Sequence, residues 1–185
     1  KDNKMNDASD MLASFKESIP AIVEFLNALC IVSGVYALFS AFYWLIPYNR
    51  QSASGSVGNM SLSTPAWKVI AGIMLINVAD SMSMILGTMF GSGVDVSNLL
   101  AYNSGGSSLP EETKNMIAVI VMFLRMYGLV TYYRGWNTAK NIGNNNSHDD
   151  SLKSASIRII FGAALMNIVQ FVNIITATFG YGDVL

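Results

Sequence analysis

Four long apolar stretches limit how this chain can fold. They run from about Pro20 to Ile46, Trp67 to Phe90, Asn115 to Trp136 and Ile157 to Phe179. A bilayer core about 30 Å thick is crossed by roughly 20 mostly apolar helical residues, and each stretch meets that length. All are too long for strands, and none alternates with period two. Buried helices of a soluble bundle are the alternative, and charge content weighs against it. Only 12% of the residues are Asp, Glu, Lys or Arg, about half of what a soluble domain carries to hydrate its surface. The expected fold class is therefore all-α: an integral membrane bundle of four hydrophobic helices.

Composition closes off other classes. A hydrophobic share of 52% argues against disorder. A net charge of −1 lacks the basic surplus of a nucleic-acid binder, so no direct sequence-specific nucleic-acid binding is expected. The single cysteine, Cys30, lies inside an apolar run and has no partner for an intramolecular disulfide.

The stretches between the spans are rich in Ser, Gly and Asn, as in Tyr48–Thr64, Gly91–Glu112 and Asn137–Ser156. Such loops would leave backbone groups unsatisfied in lipid, so they belong outside it. Pro20 and Pro65 suit segment starts, and Pro47 suits a stop. Ahead of the first span, Met11, Leu12, Phe15 and Ile19 recur at helical spacing beside Asp10, Lys16 and Glu17. That pattern fits an amphipathic helix in the membrane interface, or a short helix packed on a neighbouring subunit. The expected organisation is an N-terminal amphipathic segment (1–19), a first helical hairpin (20–90), an external linker (91–112) and a second hairpin (113–185).

Lys and Arg are retained on the cytoplasmic side. The two hairpin loops and their flanks carry Arg50, Lys68, Arg134, Lys140, Lys153 and Arg158, while most acidic residues lie on the other side. Both hairpin loops are thus expected in the cytoplasm and both termini outside. A removed signal peptide would explain a chain that starts at Lys1; a trimmed chain is the alternative.

Segments two and four align at an offset of 90 positions. Lys68-Val69-Ile70-Ala71-Gly72 reads against Arg158-Ile159-Ile160-Phe161-Gly162, and the match runs on through Leu75/Leu165, Asn77/Asn167, Ile85/Ile175 and Thr88/Thr178. Segments one and three share a mid-segment glycine, Gly34 and Gly128, followed by aromatic residues. Two tandem hairpins in one orientation, a parallel internal repeat, are expected. Chance similarity between apolar helices is the alternative. Asn77, Asn167, Gln170 and Asn173 read as interhelical hydrogen-bond partners. Ser33, Ala37 and Ala41, with Gly72, Gly162 and the Gly87-x-x-x-Gly91 pair, read as small positions where helices approach closely.

Three ionisable residues fall within spans: Glu24, Asp80 and Arg125. Such residues cost about 2.5–3.5 kcal/mol at mid-span and face protein or water. In straight antiparallel helices Asp80 and Arg125 both sit roughly 15 Å below the same external face. They are expected to pair, or to line a polar lumen, while Glu24 reaches the interface. No catalytic constellation is visible. His148 is the only histidine and lies in a polar loop, Cys30 has no nearby base, and no metal or cofactor is expected.

Arg158 to Gly162, Leu165 to Val169 and Thr178-Phe179-Gly180 resemble motifs in the small membrane proteins of type IVB secretion and IncI-type conjugation systems, the IcmC/DotE and TraQ-like components. Tyr133-Arg134-Gly135-Trp136 is similar to that family's Arg-Gly-Trp signature. The resemblance covers roughly residues 20 to 182. It departs at Gln170, where the family pattern suggests an acid that only Asn77-x-x-Asp80 keeps here. It implies a subunit of a conjugation or secretion apparatus in a Gram-negative inner membrane, with other components of that apparatus as partners. The chain also resembles two fused pilin-like hairpins. That similarity implies a processed pilin that polymerises with copies of itself into an extracellular pilus. Structural phospholipid would then meet the basic residues named above. A resident inner-membrane conduit component is the runner-up. A small solute or ion transporter is the third reading, disfavoured by the parallel repeat and by an expected lack of broken helices.

Overall fold

Backbone groups surrounded by lipid must find partners within their own segment, which leaves helices as the economical solution for apolar runs of this length. The computed structural model describes residues 3–53, 63–90, 111–142 and 152–180. These residues are helical almost throughout, with no strand among them. They form α1 (Asn3–Ala53), α2 (Ser63–Ile76), α3 (Val78–Phe90), α4 (Glu111–Ala139), α5 (Leu152–Met166) and α6 (Ile168–Thr178).

Two of these helices, over Ser18–Pro47 and Met116–Ala139, are long and apolar enough to cross a membrane. The expected second span differs. Ser63–Ile76 and Val78–Ile85 meet at a bend of 103° centred on Asn77. The fourth stretch is likewise divided, with α5 and α6 parting at Asn167. The expectation of four unbroken hydrophobic helices is corrected accordingly: Asn side chains compete for local backbone groups and weaken a helix interior.

The reading of the prolines also changes. α1 runs for 51 residues straight through Pro20 and Pro47. The expected boundary at 19/20 therefore lies inside one helix, and Pro47 does not stop it. A proline forfeits one hydrogen bond and is tolerated in spanning helices where neighbours and local adjustments re-satisfy the freed carbonyl.

Packing is dominated by two antiparallel pairs, α1 with α2 and α4 with α5. Each is built on a glycine pair at backbone contact. A Cβ placed on Gly34 would lie 2.8 Å from the carbonyl oxygen of Gly72, and one on Gly72 would lie 2.9 Å from that of Gly34. In the other pair, a Cβ on Gly128 or on Gly162 would lie 2.9 Å from its partner's carbonyl oxygen. The neighbours correspond too. The backbone nitrogens of Ile76 and Met166 approach Gly34 and Gly128, while Leu38 and Tyr132 cover Gly72 and Gly162.

The buried stripe on α1 is Gly34, Ala37 and Ala41, with Ser33 only half-buried beside it. Gly87 is a correction, because among the described residues a Cβ there would meet nothing within 4 Å, so it is no packing position between them. Gly91 lies outside the described residues. A core of Leu75, Val78, Met82, Leu129, Tyr132, Trp136 and Met166 joins the two pairs. The outward face of α1 is apolar and exposed, through Phe25, Val32, Tyr36, Phe39 and Tyr43. A patch of this extent is a liability in water and is satisfied by lipid or protein.

Gly162→Ala is expected to destabilise the detergent-solubilised protein by about 1–3 kcal/mol, because the new methyl would sit 2.5 Å from the Tyr132 backbone nitrogen. Gly87→Ala, with open space around it, should instead be neutral or stabilising by up to about 1 kcal/mol. Thermal unfolding of the two variants side by side checks this.

Candidate functional site

The 103° bend creates a polar problem inside an apolar bundle. In a continuous helix the carbonyl of Met74 would accept from the N–H four residues on; across the bend, Ser81 Oγ lies 3.0 Å from that carbonyl and 2.9 Å from the carbonyl of Val78. Ser81 Oγ also lies 2.6 Å from the Tyr132 hydroxyl on α4. A serine hydroxyl carries one proton. With two carbonyl acceptors within reach, Ser81 spends that proton on the backbone and accepts from Tyr132. The tyrosine, fully buried, packs edge-on against Trp136 with ring centroids 6.1 Å apart. The bent end of the first hairpin is thus tied to the second by a short buried hydrogen bond.

A second polar feature lies one helical turn along α2 from the glycine contact with α1. Lys68 is buried, donates to Ser40 Oγ at 3.0 Å and lies 5.3 Å from the Trp44 ring centroid. Hydroxyl and aromatic face together offset the desolvation of the ammonium. The counterpart in the second hairpin is Arg158, whose Nη1 donates to Thr138 Oγ1 at 2.8 Å; Thr138 in turn donates to the Arg134 carbonyl. The like charge of Lys140, just past the end of α4, acts on Lys68. Arg134, Lys153 and Arg158 are exposed and Lys140 is half-buried. The side chain of Arg50 lies outside the described residues.

The intramembrane ionisable residues fall in different surroundings. Asp80, in the first turn of α3, is exposed, as is Glu24 on α1, whereas Arg125 on α4 is buried. The expected pairing of Asp80 with Arg125 assumed two straight helices in register, and the bend at Asn77 removes that basis. Asn77 is exposed and Asn167 is buried with its Nδ2 unpartnered. Both mark helix breaks instead of the interhelical hydrogen bonds expected of them. The side chains of Gln170 and Asn173 lie outside the described residues, as does His148. Among the described residues no three His, Cys, Asp or Glu side chains converge as a metal site would require.

Sequence reasoning missed Ser40, Trp44, Ser81, Tyr132 and Thr138. Ser81 had a usable signal, since it follows Asn77 by one helical turn, where a hydroxyl can cap a freed carbonyl. The broken helices also withdraw one of the two arguments raised above against a transporter. Compared with family models, curated proteins and solved structures, the chain matches none.

Tyr132→Phe should cost about 0.5–1.5 kcal/mol, because Ser81 keeps its carbonyl acceptors. Ser81→Ala should cost more, about 1–3 kcal/mol, since it strips the bend's carbonyls and the buried phenol of a partner at once. A double-mutant cycle on thermal unfolding is expected to show coupling between the two positions, and additive losses would refute the link.

Proposed function

We propose that this chain is a structural subunit of a type IV, IVB-like conjugation or secretion apparatus, built as a tandem repeat of one helical hairpin. The observation that carries this reading is the repeated backbone contact, Gly34 on Gly72 and Gly128 on Gly162. The same pairs recur at offsets of 94 and 90 positions, together with the breaks at Asn77 and Asn167. A duplicated packing unit with an apolar outer face is suited to assembly.

The motif that resembles the family's signature has a packing role here. A Cβ on Gly135 would lie 2.8 Å from the Ile159 backbone nitrogen, and Trp136 is buried against Tyr132. The favoured form of the reading is a processed pilin, held in a bacterial inner membrane with both termini periplasmic before it polymerises. Phospholipid phosphates are the natural partners of the basic hairpin ends at Lys68, Lys140, Arg134, Lys153 and Arg158.

One observation favours a resident conduit or assembly component of the same apparatus. α2 and α3, with 14 and 13 residues, each extend roughly 20 Å, too short to cross a core of about 30 Å alone. A bent element of that kind suits a fixed position in the membrane.

Sheared extracellular filaments from conjugating cells, analysed by mass spectrometry, separate the two. The pilin reading expects this chain as the main filament protein and no filaments after its deletion. If filaments assemble normally without it while transfer is lost, the resident component is the correct form. Normal transfer after deletion overturns both.

A further inference from the structure

We infer that α3 completes no membrane crossing: it lies level inside one leaflet with Asn77, Asp80 and Thr88 in contact with water, so that the bilayer is thinned beside it. That placement rests on reading α1 and α4 as membrane spans, and it stands or falls apart from the conjugation reading.

Depth follows from the glycine contact. The exposed apolar side chains of α1 run from Ile22 to Ile46, so Gly34 stands midway along them and its contact with Gly72 marks the middle of the bilayer. α2 runs antiparallel to α1, since Lys68 meets Ser40 where Gly72 meets Gly34. Asn77 follows Gly72 by five residues, roughly 7.5 Å, and half of a bilayer core measures about 15 Å. The chain then turns by 103°, so α3 runs slightly back towards the middle and not out to the nearer face. Its whole length stays between roughly 3 and 8 Å from the mid-plane. Ser81 supports the same level from the other hairpin. It meets the hydroxyl of Tyr132, one turn from Gly128 near the middle of Met116–Ala139. In a straight continuation of α2, Ser81 would stand roughly 13 Å from the middle.

The exposed surface of α3 does not suit hydrocarbon at that depth. α1 turns Val32, Tyr36 and Phe39 outward. α3 exposes Asp80 and Thr88, with Asn77 exposed at the bend and Ser83 and Gly87 half-buried between them. Met84 is the one large apolar side chain exposed among its described residues. Val78, Met82 and Ile85 take the other face, against the core. A carboxylate at membrane depth faces protein or water, and that of Asp80 is exposed. The break adds backbone donors. Asn77 donates to the Ile73 carbonyl and Ser81 to that of Asn77, whereas no described backbone carbonyl accepts from Val78, Ala79 or Asp80. Interrupted backbone is tolerated at membrane depth where it lines water. Water that reaches α3 leaves a core of roughly 22 Å in place of about 30 Å.

The test uses the full chain in a Cys30→Ala background, with cysteines placed only at exposed positions. Spin labels at Ala66→Cys and Thr88→Cys, eleven residues either side of Asn77, report the bend in phospholipid vesicles. Two arms of roughly 16.5 Å turned by 103° end about 20 Å apart, against about 33 Å for a straight helix. Single Met84→Cys and Thr88→Cys variants in native membranes are then treated with a charged, membrane-impermeant maleimide from each face in turn. From the face that labels Glu24→Cys, both are expected to react within about tenfold of Glu24→Cys, since the attacking species is the hydrated thiolate. Val32→Cys, 69% exposed on α1 at the level of Thr88, should react at least about a hundredfold more slowly. A separation near 33 Å would show a completed crossing and overturn the inference. So would slow labelling of Met84→Cys and Thr88→Cys in membranes with fast labelling in detergent, because lipid or another segment would then cover α3. Val32→Cys labelling as fast as Thr88→Cys would make the wetting general to the chain and refute local thinning. None of these readouts depends on filaments or transfer.

Discussion

Two glycine contacts, Gly34 on Gly72 and Gly128 on Gly162, set the distances on which the remaining packing depends. Between apolar helices in lipid the hydrophobic effect offers little net attraction, because acyl chains are as apolar as leucine. What remains is van der Waals contact, which falls off steeply with separation, and residues without side chains bring the backbones closest. Once the axes are drawn together at mid-helix, Leu38 and Tyr132 are forced over the partner glycines. Lys68 beside Ser40 and Trp44, and Arg158 beside Thr138, sit farther along the same two helix pairs. The polar links follow from the small-residue contacts and do not create them.

The bend at Asn77 is the second organising element, and it works against the lipid. Turning a helix by 103° interrupts the hydrogen-bond ladder and leaves carbonyls that need another donor. Ser81 offsets part of that cost by binding the Met74 and Val78 carbonyls, and Tyr132 completes the arrangement from the other hairpin. In exchange, Val78 and Met82 reach a core they would miss if the helix ran straight. The bend therefore couples the two hairpins: the residues that repair it come from both. A substitution at Ser81 acts on the internal interface as well as on local helix geometry.

How much of this was legible in the sequence depends on which features act locally. The apolar stretches were located by length alone, and the glycines at 72 and 162 stood out because small residues in matched positions need a packing reason. The helix ends were misread. Proline rules come from chains in water, where an interrupted helix can hydrate its free carbonyls; α1 runs through Pro20 and Pro47. Asn77 and Asn167 were read by what their side chains could bond, whereas their effect is on their own backbones. The pairing of Asp80 with Arg125 fell with the bend, since depth counted along a straight helix has no meaning past it. Gly87 belonged to a GxxxG pattern with no described residue within 4 Å of a Cβ built there. The tie between Ser81 and Tyr132 spans 51 positions and could not be seen before the bend was known.

Continuity of α1 has a mechanical consequence of its own. Its 51 residues extend roughly 77 Å at 1.5 Å per residue, more than twice the thickness of a bilayer core of about 30 Å. The exposed apolar residues run from Ile22 to Ile46, a length of roughly 36 Å that matches the core. The helix continues without a break N-terminal to Ile22, where Ser14 and Ser18 are exposed. An amphipathic helix joined by a flexible elbow could lie in the interface whatever the span does. One joined without a break turns and tilts with it. Any contact made by the apolar positions Met11, Leu12 and Phe15 is thereby coupled to the orientation of the Gly34–Gly72 hairpin.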